Sequence, residues 1–493
     1  MKNKKAGEQI GEPAGREMSN QATRPDSFDL FSPTDFRYSV KELLPYLSEE
    51  ASISYQCKVE AALARQLAKS GVCSDAIASE IEEASKKIRA RDVYEEEKRI
   101  KHETRALVNV IRNKVSDSAK PFVHLAATSF DIIDTANALR YRDALLRVVI
   151  PDLLTLERHL IGLSRKYADV PQIGRTHGQH AEPITFGFFI ALYVSRLGER
   201  ILALKEATRN LRGKFSGAVG VYGPLSLIVN DPERFESDLL RSLGLEPFEI
   251  STQIAQPEPL VDLGHAIVSA MGVLANLSRD LRNLQRTEIS EVSEEFSSEQ
   301  VGSSTMPQKR NPVNFENVES LWKKSLPQMI TLYLDQVSEH QRDLTNSASE
   351  RYFPELIVIF DSVVRRLCRA LWSDQTKSFR LVIDRTQIER NLARSSKLIA
   401  AEPLYILLSL AGYPDAHELL RRAAQSIRSG EKEEEEIDLI EAVRSKDPSS
   451  EKYLRSIPSE KLQFVRNPTL YTGIASKKVD EVVKHWEKIL ESQ

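Results

Sequence analysis

The chain has 493 residues, with 68 Lys and Arg against 71 Asp and Glu and a formal charge of −3, a length that exceeds one ordinary core and predicts about two to four domains. A balance this close to neutral leaves no broad basic surface for nucleic acid or an anionic membrane, so any bound anion must sit in a local pocket. Aromatic residues make up 7%, and Gly and Pro number only 20 and 22, a composition that favours long helices over a turn-rich β architecture.

In chain order, Met1–Ser27 is polar and lacks the apolar stretch of a secretory signal, and is read as a disordered tail (1–27). No run approaches the roughly 18 consecutive apolar residues of a membrane span, so a soluble, cytoplasmic protein is expected. The first chemical cluster is His124 to Ala136, where the hydroxyls and amides around Thr128 and Ser129 could receive a carboxylate. Asp131 or Asp134 could equally cap a helix there. Next comes Gly174-Arg175-Thr176-His177-Gly178-Gln179-His180, a Gly-punctuated turn before a long helix. It suits either a titrating imidazole or a capping loop.

Apolar residues then recur at helical spacing through Ile190, Val194, Leu197, Ile201 and Leu204, and again through Ile267, Met271, Leu274, Leu277, Leu281 and Leu284. The stretch 302–312, GSSTMPQKRNP, combines small hydroxyl residues with Lys309, Arg310 and Asn311. It reads as a mobile anion-holding loop or as a plain surface turn. Residues 355–402 contain no Pro or Gly and carry a stripe through Phe360, Val363, Val364, Leu367 and Leu371, predicting one long amphipathic helix. The acidic run Glu431 to Glu436 reads as a solvated loop or helix start. The expected division is an N-terminal helical domain (28–144), a central long-helix bundle (145–378) and a C-terminal helical domain (379–493). Cys57, Cys73 and Cys368 are too few for a disulfide framework and lack close Cys/His spacing, so neither a disulfide nor a metal is expected.

The 302–312 stretch resembles the hallmark loop of the fumarase/aspartase superfamily of lyases nearly letter for letter. Within it the likeness is to the adenylosuccinate lyase family: GRTHGQHAEP at 174–183, KFSGAVG at 214–220 and STQ at 251–253 look like that family's segments. The segment SPTDFRY at 32–38 resembles its phosphate-holding N-terminus, and RDLTNSASER at 342–351 its downstream phosphate and ribose segment. The likeness covers most of residues 32–400. It breaks where the family has His-Asp after Thr-Arg, since Thr104-Arg105 is followed here by Ala106-Leu107, and where Gln256-Pro257-Glu258-Pro259 replaces a basic run.

The resemblance implies an all-α, three-domain lyase whose long central bundle completes a multi-helix core in a homotetramer with shared active sites. It implies β-elimination of fumarate from a succinyl-purine nucleotide, with no metal or organic cofactor and neither nucleic acid nor membrane as partner. By the same resemblance Ser303 is the general base, His177 the acid for the leaving nitrogen and Glu316 its orienting carboxylate, while Lys309 and Asn311 neutralise the carbanion's charge. Thr128 and Ser129 grip carboxylates, Thr176 and His124 assist substrate binding, and Lys214 and Gln253 line the pocket. Arg37, Tyr38, Arg342, Ser347 and Arg351 hold phosphate and ribose. The rival readings are a related lyase or cycloisomerase with another succinyl or muconate-type substrate, and a non-catalytic structural homologue.

Overall fold

The computed structural model describes residues 30–296, 302–428 and 439–491. The tail Met1–Ser27 and the acidic run Glu431–Glu436 lie outside the described residues. The described residues are mostly helical, and long helices carry the core. Helix Phe186–Arg209 starts where Thr185 Oγ1 accepts the Phe188 N–H at 3.1 Å, an N-cap that satisfies a free helix donor. Helix Glu258–Leu284 runs antiparallel to it, as the rungs Tyr193–Asp280, Arg196–Asn276 (2.7 Å) and Arg200–Ser269 (3.4 Å) show. Helices Val313–Ser325 and Ser347–Leu371 pair antiparallel through Asn314–Arg366 (3.0 Å) and Lys324–Glu355 (3.0 Å). Helix Ile150–Lys166 completes the bundle, and its Asp152 joins Asp361 and Glu42 around the buried Arg365.

Helix Glu258–Leu284 is apolar and long enough to cross a membrane, which the sequence pattern did not suggest. Most of its apolar window is buried in the bundle, the expected place for a helix that is hydrophobic nearly all round. Two other helices of the bundle come very close at a glycine. A Cβ on Gly187 would lie 2.4 Å from the Ser164 carbonyl oxygen, so helices 150–166 and 186–209 touch backbone to backbone there.

One continuous apolar core runs through these helices. A second, smaller core gathers Ile53 to Val123, including the fully buried Ala106 and Leu107. A third gathers Ala400 to Val465.

The Pro- and Gly-free stretch 355–402 is not one helix. The helix stops at Leu371, and Trp372–Ser373 pairs with Ser378–Phe379 in a two-stranded ribbon before helix Arg385–Arg394 begins. Tertiary packing ends it, since Trp372 is extended at φ −137°, stacks on His159 and meets Phe379 edge-on. The segment read as a turn before helix 186–209 is a β-hairpin, Pro171–Thr176 with Gln179–Thr185. Its two turn residues, His177 (φ 53°) and Gly178 (φ 74°), are both left-handed, the conformation a tight two-residue hairpin requires.

Candidate active site

The two ends of helix Glu258–Leu284 each carry a group of the sequence-derived residues. At the Glu258 end, Asp131 is fully buried and accepts Lys214 Nζ (2.5 Å), Ser216 N–H (3.1 Å) and Gly217 N–H (3.3 Å) on one oxygen, and Thr128 N–H (2.8 Å) on the other. It therefore caps helix Ser129–Ala144 and also ties the Thr128-Ser129 segment to the 214–217 loop. The side chain of Lys214 is itself wholly buried, so its ammonium fixes that loop. Asp134 accepts the Ala255 N–H (2.7 Å), Ser216 and Ser251 share a hydroxyl contact (2.6 Å), and Gln253 N–H donates to Gln341 O (3.3 Å). These bonds bring Thr128, Ser129, Lys214, Gln253 and Arg342 to one place, with Ser347 opening the helix that follows.

Arg342 lies with its guanidinium 3.5 Å over the Phe130 ring, and its Nε, Nη1 and Nη2 are buried without a hydrogen-bond partner among the described residues. The carboxyls of Glu350 and Asp134 lie within its electrostatic reach, but its unmade hydrogen bonds leave donors available to an anionic ligand. Arg351, by contrast, is exposed and pairs with Glu103 (3.4 Å). His124 stands nearby with Nδ1 2.6 Å from Glu60 Oε1. Burial pushes its imidazole down, but the charge and hydrogen bond of Glu60, with Asp131 behind, outweigh this and raise it.

At the Leu284 end lies the loop 302–312. Ser303 Oγ accepts the N–H groups of Met306 (3.0 Å) and Thr305 (3.3 Å), Asn311 Nδ2 donates to Gly302 O (3.3 Å), and Lys309 is exposed. Glu294 anchors the following helix by accepting Asn314 N–H (2.9 Å) and Phe315 N–H (3.1 Å), and burial raises its pKa despite those bonds. Glu316 is exposed in that helix's first turn. Tyr38 Oη accepts from Asn317 Nδ2 (3.2 Å) one residue further on, with exposed Arg37 beside it.

The hairpin stands at this same end, held by the buried Glu291, which takes Gln172 Nε2 (2.6 Å), Arg175 and Asn391 Nδ2 (2.8 Å). Thr176 and His177 are exposed at its tip. His177 and Glu316 make no side-chain hydrogen bond among the described residues.

Sequence reading missed Glu60, Glu291 and Glu294, because isolated acids in helical or polar stretches look like solvated faces until their burial is seen. Among the described residues no group of three His, Cys, Asp or Glu side chains is gathered in a way that could hold a metal ion.

The lyase family's sequence profile matches residues 39–324. The chain is 37% identical over 466 residues to the adenylosuccinate lyase of Pyrococcus abyssi, covering 93% of this chain and 98% of that one. The chain belongs to the fumarase/aspartase lyase superfamily. It is an enzyme, a carbon–nitrogen lyase of the adenylosuccinate lyase type. Other members resemble it over similar lengths: the N-acetyl-S-(2-succino)cysteine lyase of Enterococcus italicus is 30% identical, covering 91% of this chain and 95% of its own. The structure of a 3-carboxy-cis,cis-muconate lactonizing enzyme from Pseudomonas putida superposes with a TM-score of 0.77 at 26% identity, covering 92% of this lyase and 98% of that chain.

Proposed function

We propose that the lyase cleaves adenylosuccinate to AMP and fumarate, and the succinylated aminoimidazole carboxamide ribotide to fumarate and the free carboxamide ribotide. The observation that carries this reading is Arg342, whose buried, unpartnered guanidinium beside Phe130 suits a phosphate or carboxylate oxygen. Ser303 takes the proton from the carbon next to a substrate carboxylate, the electron pair delocalises onto that carboxylate, and Lys309 and Asn311 meet the added charge. The C–N bond then breaks, and His177, charged by Glu316, delivers a proton to the departing nitrogen. The two amide N–H groups on Ser303 Oγ favour an oxyanion there, the requirement for a serine acting as base.

The site is assembled from several subunits of a homotetramer. Helix Glu258–Leu284 has 27 residues, so at about 1.5 Å each its ends stand roughly 40 Å apart. The Arg342 group and the Ser303 loop of one chain therefore serve different sites. Exposed apolar side chains on and beside helix Gln328–Asp335, among them Ile330, Leu334 and Val337, supply a face for a second copy.

A second reading, the same elimination on a different succinyl compound, is favoured by two local features. Ala106 and Leu107 are buried in the second core and offer no polar group to a site. Gln256, Pro257 and Pro259 line an apolar cavity of about 100 Å³ with Ile254, Phe248 and Tyr141. The deciding experiment is fumarate release by the purified protein from both purine substrates, with argininosuccinate and carboxymuconate alongside. Release from the purine substrates alone supports the proposal, and release only from a compound lacking phosphate overturns it.

A further inference from the structure

His177 with Glu316 is the histidine–carboxylate pair that the resemblance supplies. The fold holds a second one that sequence reading did not find. Glu60 lies deep in helix Glu49–Lys69 with its side chain fully buried, and Oε1 is 2.6 Å from His124 Nδ1. Its other oxygen, Oε2, is buried without a partner, and among the described residues His124 is the only group with which Glu60 forms an ion pair. A buried carboxylate needs a compensating charge, and a protonated imidazole is the one within reach.

The backbone is shaped to bring that ring to the helix. His124 and Ala126 both take left-handed φ values, 62° and 64°, which non-glycine residues adopt only when their surroundings enforce it. With Nδ1 bound to a carboxylate, the ring's tautomer is fixed and Nε2 has no partner among the described residues. His124 lies four residues before Thr128, the N-cap of helix Ser129–Ala144, whose first amides favour an anion. Three charged groups face the ring from three elements: Glu60 from helix 49–69, Asp131 from helix 129–144 and Arg105 from helix 103–112. Asp131 is already engaged by Lys214, which leaves Glu60 as the dominant influence in favour of the charged ring.

We propose that Glu60 is a positioning residue of the elimination: it holds His124 as a cationic donor whose Nε2–H binds a carboxylate or phosphate oxygen of the substrate at Thr128 and Ser129. The proposal rests on the reading of the site given above. Burial opposes the charged ring and the two carboxylates favour it, so loss of Glu60 shifts the ring toward its neutral form.

The test uses the full-length protein with Glu60→Gln, Glu60→Asp, His124→Gln and the Glu60→Gln/His124→Gln double variant. The His124 ring is followed by NMR titration with and without fumarate, alongside kcat, KM and their pH profiles. Glu60→Gln should move the His124 midpoint down by roughly one unit or more. It should also raise KM about tenfold above neutral pH with a smaller change in kcat, and add nothing in the His124→Gln background. Glu60→Asp, which keeps the charge but shortens its reach, should leave the midpoint high while still raising KM. An unchanged midpoint in folded Glu60→Gln, or a full additive loss on top of His124→Gln, overturns the proposal. If Glu60→Gln does not fold, Glu60→Asp decides: wild-type KM there overturns it. A wild-type protein inactive on both purine substrates sinks the substrate reading alone, because the His124 midpoint and its response to fumarate still judge Glu60.

Discussion

Asp131 and Asp134 lie one helical turn apart and do opposite things to stability. Asp131 gathers four donors, one of them the wholly buried Lys214 ammonium. Asp131→Asn would leave that ammonium facing a neutral amide and turn an NH2 toward another donor. It should therefore lower stability by about 3–5 kcal/mol, the usual loss when one partner of a buried ion pair is removed. Urea unfolding measures this, and a loss below about 1 kcal/mol would show that the knot is not what holds the 214–217 loop. For Asp134, burial raises the carboxyl from an ordinary 3.8 to about 7, against the pull of the Ala255 N–H. Its folded value is the higher one, so the stability it contributes is complete below about pH 4 and is lost as pH rises through about 7. Asp134→Asn keeps the acceptor for Ala255 and removes the titration. Its stability should fall less than wild type's between pH 4 and 7 and exceed it at pH 8, and parallel stability curves for the two proteins would refute the assignment.

At the scale of elements, the signature loop depends on one glycine. A Cβ on Gly302 would lie 2.1 Å from the Lys309 carbonyl oxygen and 2.9 Å from the Phe296 ring. The loop folds back on itself there, bringing Ser303 and Asn311 to the same turn. Gly302→Ala should open that turn and cut kcat by about a hundredfold or more, since small misplacements of reacting groups are that costly. The thermal midpoint should stay close to wild type because the loop lies outside the core. Near-normal kcat would mean that the folded-back turn is not the active form.

How far each element could be read in advance follows from where its signal lies. The helices at 186–209 and 258–284 were legible because their apolar residues recur at helical spacing. The stop at Leu371 was not, since no Gly, Pro or cap marks it and the cause is Trp372 packing on His159 and Phe379, residues distant in sequence or hidden by it. The 171–185 hairpin was read as a turn because its prolines and glycines look like loop punctuation. Motif residues such as Ser303 and His177 could be named from the sequence, while Glu60, Glu291 and Glu294 emerge only from burial and contact.

For the whole molecule, the decisive fact is that one chain keeps its two functional groups at opposite ends of a helix of 27 residues, roughly 40 Å apart. Arg342 with Phe130 and the Thr128-Ser129 segment stand at one end, and Ser303, Lys309 and the His177 hairpin at the other. A single chain cannot fold them onto one small substrate without dismantling the bundle, so under the proposed function a second copy is required to complete each site. Ser303→Ala and Arg342→Ala should each be nearly inactive alone, the first through kcat and the second mainly through KM. Equal amounts of the two, unfolded, mixed and reassembled, should recover about one quarter of wild-type sites, because each site needs an intact loop from one chain and an intact arginine from another, each present with even odds. Recovery should be absent when the two proteins are mixed without exchange of subunits, which mass measurement of the assemblies can verify. Mixed assemblies with no regained activity would mean that both residues of each site come from one chain, and the bundle would then have to bend far from the form described here.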